Sequence, residues 1–518
     1  MTSRIPRRLL AVCVLVVALV VLPVVVTIVQ ALQGGVSAAT SALEATSART
    51  LLVHTVLVTV AATPICGVIG VAGAWFVERT RLPWRRAFAV LLVAPLTIPA
   101  FVTSYAWASV GSVFQGFFGA VAVIGFTYYP IVFLLVAVAL RGLDPALEET
   151  AQSLGLSSRG VFFRVVLPQL RPALLGGLLL VALDALVELD AFVALKFQTF
   201  SSDIYAQYRL GFSASGAAAL SFFSIVLCLV LLFGEARLRG NANYTRVSQG
   251  ARRTVTRYRL GLASVPVLAF LVGVLAVSVC IPVGMLIKWF TESSAAGRST
   301  AASNLTYLWP ATYTSVGFGV ASALLAVLLA LPVAILAVRH RGPAVTALER
   351  AVYLSFALPD LVAAVALAYF ASHWVRSLYG SAFLLILAEA ILFLPFAVVA
   401  MRATLGQIEP VLEDSARSLG AGALSTLLRV TAPLARPGLV AAGVLVFAFA
   451  LGDLSTARVL LPLNLYTLGT QFQTYSSSVA FAAAAPFAAA LLGLAAVAAY
   501  LLMSRFGEVR GLGKESSS

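Results

Sequence analysis

The chain has 518 residues, of which 61% are hydrophobic and only 11% carry a charge. This balance excludes an ordinary soluble domain, in which about 25% of residues are charged, and indicates an integral membrane protein. The formal net charge of +15 does not indicate a nucleic-acid partner, because the arginines are scattered over short segments between apolar runs and form no single basic stripe.

Twelve apolar runs are long enough to cross the hydrocarbon core as helices, which takes roughly 20 residues. The runs are 9–29, 51–77, 87–114, 117–140, 173–195, 211–234, 260–287, 311–338, 351–375, 379–401, 438–457 and 479–503. The sequence therefore predicts an all-α, polytopic membrane protein with about 12 transmembrane helices. The first run is long enough to span and lacks a clear cleavage signature before Gly34, so we expect a retained helix.

The distribution of lysine and arginine predicts the orientation, because cationic side chains near helix ends stay in the cytoplasm during insertion. With the N-terminus inside, 28 of the 35 lysines and arginines lie in cytoplasmic segments. The seven that fall outside are Arg49, Lys196, Arg209, Lys288, Arg298, Arg376 and Arg458. An even number of spans places both termini on the same side. We therefore expect both termini to be cytoplasmic.

Two polar connectors, 265 residues apart, repeat one sequence pattern. Aligned without a gap, residues 145–172 and 410–437 are identical at twelve of twenty-eight positions. Pro99 and Pro359, 260 residues apart, extend the repeat into the apolar runs, and both are expected to bend the helices that contain them. Connectors between apolar helices normally vary in sequence, so a repeated connector indicates an outside partner with two equivalent binding sites. The repeat predicts two parallel six-helix halves related by an axis along the membrane normal.

Each connector is predicted to form a short helix that ends at a glycine. Pro145 and Pro410 suit a first helical turn, where a missing N–H is harmless, and Gly155 and Gly420 suit the end. The acids that fall in the first turn are Glu148, Glu149, Glu413 and Asp414. One interpretation is that these acids are solvated helix caps. The other is that they belong to a surface that occurs once in each connector and binds a partner protein.

The connectors resemble the EAA motif of permease subunits in binding-protein-dependent ABC importers. The matching residues are Glu148, Glu149, Ala151, Gly155 and Pro168 in the first copy and Glu413, Asp414, Ala416, Gly420 and Pro433 in the second. In that family the motif forms a coupling helix that docks into a cleft on a cytoplasmic ATPase subunit.

The resemblance covers about residues 51–235 and 311–505 and implies two fused copies of the MetI-like (type I) importer fold in a bacterial cell membrane. The resemblance implies that residues 1–50 form an N-terminal transmembrane helix with an outer loop. Residues 236–310 then form a cytoplasmic linker, an extra transmembrane helix and an outer loop, and residues 506–518 form a cytoplasmic tail.

No Gly-x-x-x-x-Gly-Lys-Ser/Thr phosphate loop occurs, since the segment from Gly511 to Lys514 has neither its spacing nor its hydroxyl. We therefore expect a transport subunit that is not an enzyme and holds no cofactor, with ATP and Mg²⁺ bound by a partner. The resemblance implies two ABC ATPase subunits. The outer loops are too short to form a substrate-capturing domain, so a separate extracytoplasmic binding protein is expected.

Among fused permeases, the chain is most similar to those for ferric iron. The similar stretches are Glu188-Leu-Asp-Ala-Phe-Val, Thr199-Phe-Ser-Ser-Asp-Ile-Tyr205 and Gly452-Asp-Leu-Ser-Thr-Ala-Arg458. The last stretch departs from the wording Lys-Glu-Leu-Pro-Ala-Thr of that family, which leaves thiamine, polyamines and phosphonates as alternative substrates. An ion-coupled secondary transporter also has twelve helices and membrane acids, but it gives no reason for the doubled connector.

Six acids lie within the apolar runs, where an ionised side chain costs about 2.5–3.5 kcal/mol at the bilayer centre and therefore needs a partner or water. They are Asp184, Glu188, Asp190, Asp360, Glu389 and Asp453. Asp184 and Glu188, one turn apart, are expected on one face of the fifth helix. Glu188 and Asp453 occupy equivalent repeat positions and are expected to face each other across the substrate pathway, together with Asp184 and Asp190.

Carboxylate oxygens at these positions suit a hard cation such as Fe³⁺, although no residue is assigned as a metal ligand. The alternative interpretation is that Glu188 and Asp453 bond to helix ends or to water and serve only the gate.

Overall fold

The computed structural model describes residues 6–45, 48–143, 145–209, 214–239, 257–295, 298–406, 408 and 410–508. Within these ranges the regular secondary structure is helical, and one isolated bridge joins Thr80 to Tyr258. The helices up to the middle of the chain are α1 (Arg7–Ala45), α2 (Ala48–Arg79), α3 (Arg85–Leu91), α4 (Ala100–Val110), α5 (Phe117–Gly142), α6 (Pro145–Ser153), α7 (Ser158–Val161), α8 (Leu167–Val187), α9 (Asp190–Ala194), α10 (Phe200–Arg209), α11 (Ala214–Arg239), α12 (Ser264–Leu275) and α13 (Ile281–Ala295). Those that follow are α14 (Arg298–Arg339), α15 (Pro343–Val352), α16 (Asp360–Trp374), α17 (Ala382–Leu392), α18 (Leu394–Leu405), α19 (Pro410–Ser418), α20 (Ala423–Thr426), α21 (Ala432–Leu434), α22 (Arg436–Gly452), α23 (Leu454–Leu460), α24 (Leu468–Ser477) and α25 (Phe481–Glu508). The predicted all-α class is confirmed.

Eight helical segments of the described chain are long and apolar enough to cross a membrane, and there are twelve if each of four bent helix pairs counts as one span. Two of the bends, of 90° and 99°, follow Pro99 and Pro359. The two prolines have nearly the same backbone angles, φ −54° with ψ 138° and φ −54° with ψ 136°. A proline has no N–H to donate inside a helix, so the helix restarts after it. The predicted bends are confirmed at both positions.

The described residues form two compact units. The first unit takes its residues from 47–202 and 225–287, and the second from 1–46, 203–224 and 288–518. In the first unit α2, α5 and α8 surround the core, which also includes Val267, Leu271 and Val274 of α12. In the second unit α14, α18 and α22 pack together, and α1 lies against α14, α15 and α16. The helix that starts the chain therefore belongs to the unit of the second repeat.

Two predicted helices are shorter than expected. The runs 173–195 and 438–457 were each expected to be continuous, but α8 ends at Val187 and α22 ends at Gly452. The reason is local hydrogen bonding: Glu188 and Asp453 leave the helical conformation and accept N–H groups from the short helices α9 and α23 that follow. The N–H of Glu188 still bonds to the carbonyl of Asp184 at 2.9 Å, so these two acids stay one turn apart as expected, whereas Asp190 belongs to α9.

The same type of bond attaches one more helix in each repeat. Thr55 on α2 accepts the N–H of Phe200 at 3.0 Å, where α10 begins. Ser315 on α14, 260 residues after Thr55, accepts the N–H of Leu468 at 2.8 Å, where α24 begins. Because an unsatisfied N–H at a buried helix start is costly, these hydroxyls stabilise the starts of α10 and α24.

Candidate functional site

Each repeated connector consists of a helix, a glycine turn and a second helical stretch. α6 and α19 begin at Pro145 and Pro410 as predicted. Gly155 and Gly420 both have φ +87°, in the left-handed region that glycine enters at little cost. The N–H of Leu156 bonds to the carbonyl of Ala151 at 3.1 Å, and the N–H of Ala421 bonds to that of Ala416 at 3.0 Å. These are Schellman turns, so the predicted helix ends are confirmed.

Beyond the turn, both connectors contain a π-helical stretch at the same repeat position. It covers Phe162–Val166 in the first copy and Leu427–Thr431 in the second. Pro168 and Pro433 follow in the first turn of α8 and α21, where a missing N–H does no harm. Because wide helical turns of this kind are rare and often occur at functional sites, their presence in both copies marks the connectors as specialised.

One acid of each connector is buried in an ion pair. Glu148 is 7% exposed, and its Oε1 lies 2.9 Å from Nη2 of Arg79 at the end of α2. Glu413 is also 7% exposed, and its Oε1 lies 2.9 Å from Nη2 of Arg339 at the end of α14. Each arginine also donates to a carbonyl, that of Leu140 at 2.8 Å and that of Ile408 at 3.0 Å. The arginines therefore attach the connector helices to the ends of two transmembrane helices.

Sequence reasoning missed Arg79 and Arg339. The signal that would have found them is their spacing of 260 residues, which is also the spacing of Pro99 and Pro359. An arginine at the end of an apolar helix was assigned to topology, although the same residue at the same repeat position on both helices indicates a shared structural task.

Besides its arginine, the buried acid of each connector has a second partner, and this partner differs between the copies. Tyr258, from the segment that joins the repeats, donates to Oε2 of Glu148 at 3.3 Å and accepts from Gln152 at 2.8 Å. In the second copy Thr431 donates to Glu413 at 3.1 Å. Burial raises the pKa of Glu148 above the ordinary value of a glutamate, while Arg79 and the hydrogen bond from Tyr258 act against this rise. In the part of the chain that the structure describes, the first connector therefore bonds to the linker, whereas the acid of the second connector bonds to Thr431 of its own connector.

The neighbouring acids and several large apolar side chains are exposed. Glu149 and Asp414 face outward, and Asp414 lies 3.5 Å from Arg417, which replaces Gln152. Leu154 is 79% exposed and its counterpart Leu419 is 88% exposed. Each connector also exposes a second large apolar side chain, Phe163 or Leu428. An acid beside a matched apolar pair on a polar connector forms a surface suited to a protein partner.

The remaining matched residues have structural positions. Ala151 is buried under the first helix, and Ala416 is partly buried under the second. A larger side chain at either position would push its helix away from the protein. Sequence reasoning had grouped all the acids of the connectors, whereas the structure separates the buried Glu148 and Glu413 from the exposed Glu149 and Asp414.

The membrane acids of the first unit share one tyrosine. Tyr128 donates to Oε2 of Glu188 at 2.9 Å, and Asp184 interacts with the same hydroxyl. Oε1 of Glu188 accepts the N–H of Ala191 at 3.0 Å. Asp190, at the start of α9, is buried. Both oxygens of Glu188 are thus bound to this protein, and the cap interaction that sequence reasoning weighed as an alternative is present.

The second unit uses different chemistry at matching positions. Asp453 accepts the N–H of Thr456 at 3.0 Å and so caps α23 as Glu188 caps α9. Phe393 and Phe449, the counterparts of Tyr128 and Asp184, stack with their centroids 5.8 Å apart.

The two remaining membrane acids lie elsewhere in the second unit. The buried Glu389 accepts a hydrogen bond from Ser322 at 2.7 Å. Asp360 begins α16 after the bend at Pro359. In the described residues no group of three or more histidine, cysteine or acidic side chains is arranged to hold a metal ion.

The structure thus contains two fused copies of one helical unit, each with a matching connector on an arginine-capped membrane helix, and it defines a two-repeat, polytopic membrane protein. The chain belongs to the family of binding-protein-dependent transport system inner membrane components, whose model matches residues 67–239 and 330–508. Members of this family are permease subunits of ABC importers: multi-pass proteins of the inner membrane that work with an ATPase and a substrate-binding protein. The predicted family and the predicted all-α membrane fold are confirmed.

Individual relatives carry more specific names. The chain is 32% identical to the Fe(3+)-transport system permease protein FbpB 2 of Haemophilus influenzae, over 87% of this chain and 89% of the relative. It is 26% identical to the ferric transport system permease protein FbpB of Actinobacillus pleuropneumoniae, over 63% of this chain and 50% of the relative. It is 33% identical to the sulfate transport system permease protein CysT of Salmonella typhimurium, over 32% of this chain and 68% of the relative.

Proposed function

We propose that this permease imports ferric iron, delivered by a binding protein outside the membrane, when ATP is hydrolysed by two copies of a cytoplasmic ATPase. The observation that supports ferric iron as the substrate is the similarity to a permease named for Fe(3+). This similarity extends over 87% of the chain and includes both repeats. The similarity to a sulfate permease extends over only 32% of the chain. ATP and Mg²⁺ bind to the ATPase in this proposal.

The two connectors are the coupling segments. In each, the exposed acid and apolar pair provide the contact with one ATPase: Glu149 with Leu154 and Phe163, and Asp414 with Leu419 and Leu428. Apolar side chains that become buried on docking supply the free energy of binding, and the acid adds specificity. Ala151, Gly155 and Pro168, with Ala416, Gly420 and Pro433, hold this surface in shape.

The buried ion pairs carry the movement of the ATPase into the membrane. Arg79 contacts Glu148 on α6 and the carbonyl of Leu140 at the end of α5, so α6 cannot shift without pulling on α2 and α5. Arg339 links α19 to α14 in the same way. A buried pair suits this task because removing either partner leaves an uncompensated charge, which makes sliding at the contact unfavourable.

The membrane acids Asp184, Glu188, Asp190 and Asp453 contribute negative charge along the path of the cation. Carboxylate oxygens are ligands that hard cations prefer, and acids in spanning segments commonly mark such paths. Glu188 and Asp453 also cap short helices, so a passing ion competes with a backbone N–H for the same carboxylate. Such competition weakens binding, and a conducting path needs weak binding for release.

In this proposal both termini are cytoplasmic, so the coupling segments face the ATPase and the binding protein docks on the opposite side. The arginines near α2, α5, α12 and α14 then lie inside, in agreement with the bias of cationic residues toward the cytoplasm.

The test is ATP-dependent uptake of radioactive ferric iron into liposomes that contain the full-length chain, its ATPase and the binding protein. We expect uptake only with ATP and with the binding protein loaded with Fe³⁺. Sulfate, thiamine, a polyamine and a phosphonate serve as competitors, and none should reduce it. If one of these compounds stimulates ATP hydrolysis through its own binding protein while Fe³⁺ does not, the proposed substrate is wrong.

A further inference from the structure

Five arginines meet where several helices of the first unit end. The N–H of Tyr258 donates to the carbonyl of Arg79 at 2.9 Å, and the N–H of Arg81 donates to the carbonyl of Tyr258 at 3.0 Å. Residues 79–81 and 257–259 therefore run side by side, although they are far apart in sequence. This pairing brings the backbone of Arg81 next to that of Arg257 and Arg259. Arg85 and Arg86 follow at the start of α3. We call these five residues the arginine patch.

The acids near the arginine patch are already engaged. Glu78 forms an ion pair with Arg141, and Glu148 forms one with Arg79. Within the described part of the chain, no ion pair or side-chain hydrogen bond involves a residue of the patch. The charges of Arg257, Arg86 and Arg141 repel that of Arg85, and the charge of Glu78, already paired with Arg141, attracts it. Nη1 of Arg85 is buried and lacks a hydrogen-bond partner. A buried guanidinium N–H surrounded by like charges is unfavourable unless an anion accepts from it.

The patch lies at the level where helices leave the bilayer. Spans end at Arg79 and Arg141, and others begin at Arg85 and Gly261. Trp84 lies between two of these spans, has φ +51° and is 77% exposed. Indole side chains favour the headgroup level of a membrane, since they have an apolar body and one N–H donor. An exposed tryptophan held in a strained conformation beside unpaired arginines fits a lipid headgroup region better than bulk water.

The second repeat keeps Arg341 as the counterpart of Arg81, but it has no counterpart of Trp84, Arg85 and Arg86. With the spacing of 260 residues that relates Pro83 to Pro343, the positions of Trp84, Arg85 and Arg86 are occupied by Ala344, Val345 and Thr346. The corresponding segment of the second repeat has Arg339, Arg341 and Arg350 but no tryptophan beside two adjacent arginines, so a shared topology signal does not account for Trp84, Arg85 and Arg86. The patch therefore has a task that is specific to the first repeat.

We propose that the arginine patch binds the phosphate of an anionic phospholipid, with Trp84 inserted at the headgroup level beside it. Guanidinium groups match the geometry of phosphate oxygens and pair with them in bidentate fashion. Basic pockets between the ends of transmembrane helices are suited to lipids with a net negative charge. Lipid binding by the arginine patch is separate from transport and does not depend on which substrate is imported.

The test uses the full-length chain in nanodiscs of phosphatidylethanolamine with a minor fraction of phosphatidylglycerol, without ATPase or binding protein. Association of spin-labelled phosphatidylglycerol, and separately of spin-labelled phosphatidylcholine, is measured by electron paramagnetic resonance. The variant replaces the turn by the residues of the second repeat: Trp84→Ala, Arg85→Val and Arg86→Thr. We expect its relative affinity for phosphatidylglycerol over phosphatidylcholine to fall at least about fivefold, since each arginine near an anionic surface contributes about this factor.

The matched control removes the same charge from the second repeat, with Arg341→Thr and Arg350→Val. A general attraction between cations and an anionic surface acts on these arginines as well, so we expect the control to lose some affinity, but clearly less than the triple variant. An equal loss in the control would mean that net charge alone attracts the lipid, and the proposal would be wrong. It would also be wrong if the triple variant, folded by its melting temperature, kept its affinity. Displacement of the labelled lipid by inorganic phosphate would indicate a small-anion site instead.

If the triple variant does not fold, the exposed Arg86→Thr and Arg257→Gln are tested singly, and each must lower the affinity. Binding of the purified ATPase in nanodiscs without anionic lipid is the last comparison. A loss of ATPase binding in the triple variant, with lipid affinity unchanged, would assign the patch to the protein partner.

Discussion

Adjacent acids in each connector have different surroundings and therefore different tasks. Glu148 is buried against Arg79, whereas Glu149, the next residue, faces outward. Desolvation raises the pKa of Glu148, and Arg79 acts in the opposite direction. The arginine thus favours the ionised form of a buried carboxylate, and the pair holds α6 on the end of α2.

Replacing Arg79 by alanine should lower the free energy of unfolding by about 3 kcal/mol at neutral pH, because it leaves a buried carboxylate without a counter-ion. Without the arginine, the folded-state pKa of Glu148 moves further above that of the unfolded chain. The folded state then binds the proton more readily, so the deficit should shrink as the pH falls and return as it rises. The measurement is thermal unfolding of the detergent-solubilised chain at neutral and mildly acidic pH.

Two further variants control this experiment. Glu148→Gln added to Arg79→Ala should recover part of the loss, since the unpaired charge is then gone. Glu149→Gln, which changes an exposed neighbour, should leave the melting temperature within about 1 °C of the parent. A melting temperature for Arg79→Ala equal to that of the parent would contradict a stabilising role for the pair.

At the scale of helices, close packing in the first unit depends on glycines that face one valine. A Cβ built on Gly70 of α2 would lie 2.7 Å from Cβ of Val132 on α5 and 2.8 Å from the N–H nitrogen of Phe133. A Cβ on Gly177 of α8 would lie 3.1 Å from Cα of the same valine. Within a membrane, small residues allow such helices to approach without a hydrophobic driving force. Val132 is thus the point where α2, α5 and α8 meet.

Gly70→Ala should destabilise the chain by about 1–3 kcal/mol, because the backbone of α5 must move to admit the methyl group. Gly176→Ala is the matched control: it lies beside Gly177, and a Cβ there meets no atom within 4 Å. It should be neutral or slightly stabilising, since alanine favours helix more than glycine does. The melting temperatures of the two variants in detergent check this prediction. Equal values would mean that the close contact does not limit the packing.

At the scale of the whole molecule, the two connectors share a backbone conformation but not all of their side-chain contacts. Both have the glycine turn at φ +87° and the arginine pair. Among the described residues, Tyr258 of the linker bonds to Gln152 of the first connector, and the second connector has Arg417 at the position of Gln152. An ATPase that binds both connectors would therefore have to displace different side-chain contacts at each one.

Gly155→Val and Gly420→Val should each reduce transport-coupled ATP hydrolysis while the chain remains inserted in the membrane. A β-branched residue in the left-handed region is strained by about 1–2 kcal/mol, which distorts the turn that presents Leu154 or Leu419. Gly422→Ala, next to the second turn in a position with no atom near a new Cβ, is the control. The assay is ATP hydrolysis stimulated by the loaded binding protein. Normal stimulation in both valine variants would count against the coupling role of these segments.

The sequence by itself determined the class of the molecule, the twelve apolar spans, the repeat and the ends of the connector helices. These features are local: hydropathy sets the spans, and proline and glycine set the starts, bends and stops near Pro99, Pro145 and Gly155. A repeat of 265 residues is also visible without any structure.

Only the tertiary structure decided which acid of a pair is buried, which unit α1 joins and where α8 and α22 end. Glu148 is buried because Arg79, far away in sequence, lies over it, and no local pattern distinguishes it from Glu149. Glu188 and Asp453 end their helices because the next helix offers N–H groups to a carboxylate. Such contacts form only when distant segments pack together, and for this reason the pattern of apolar residues predicts the helices but not the partners of the charged side chains.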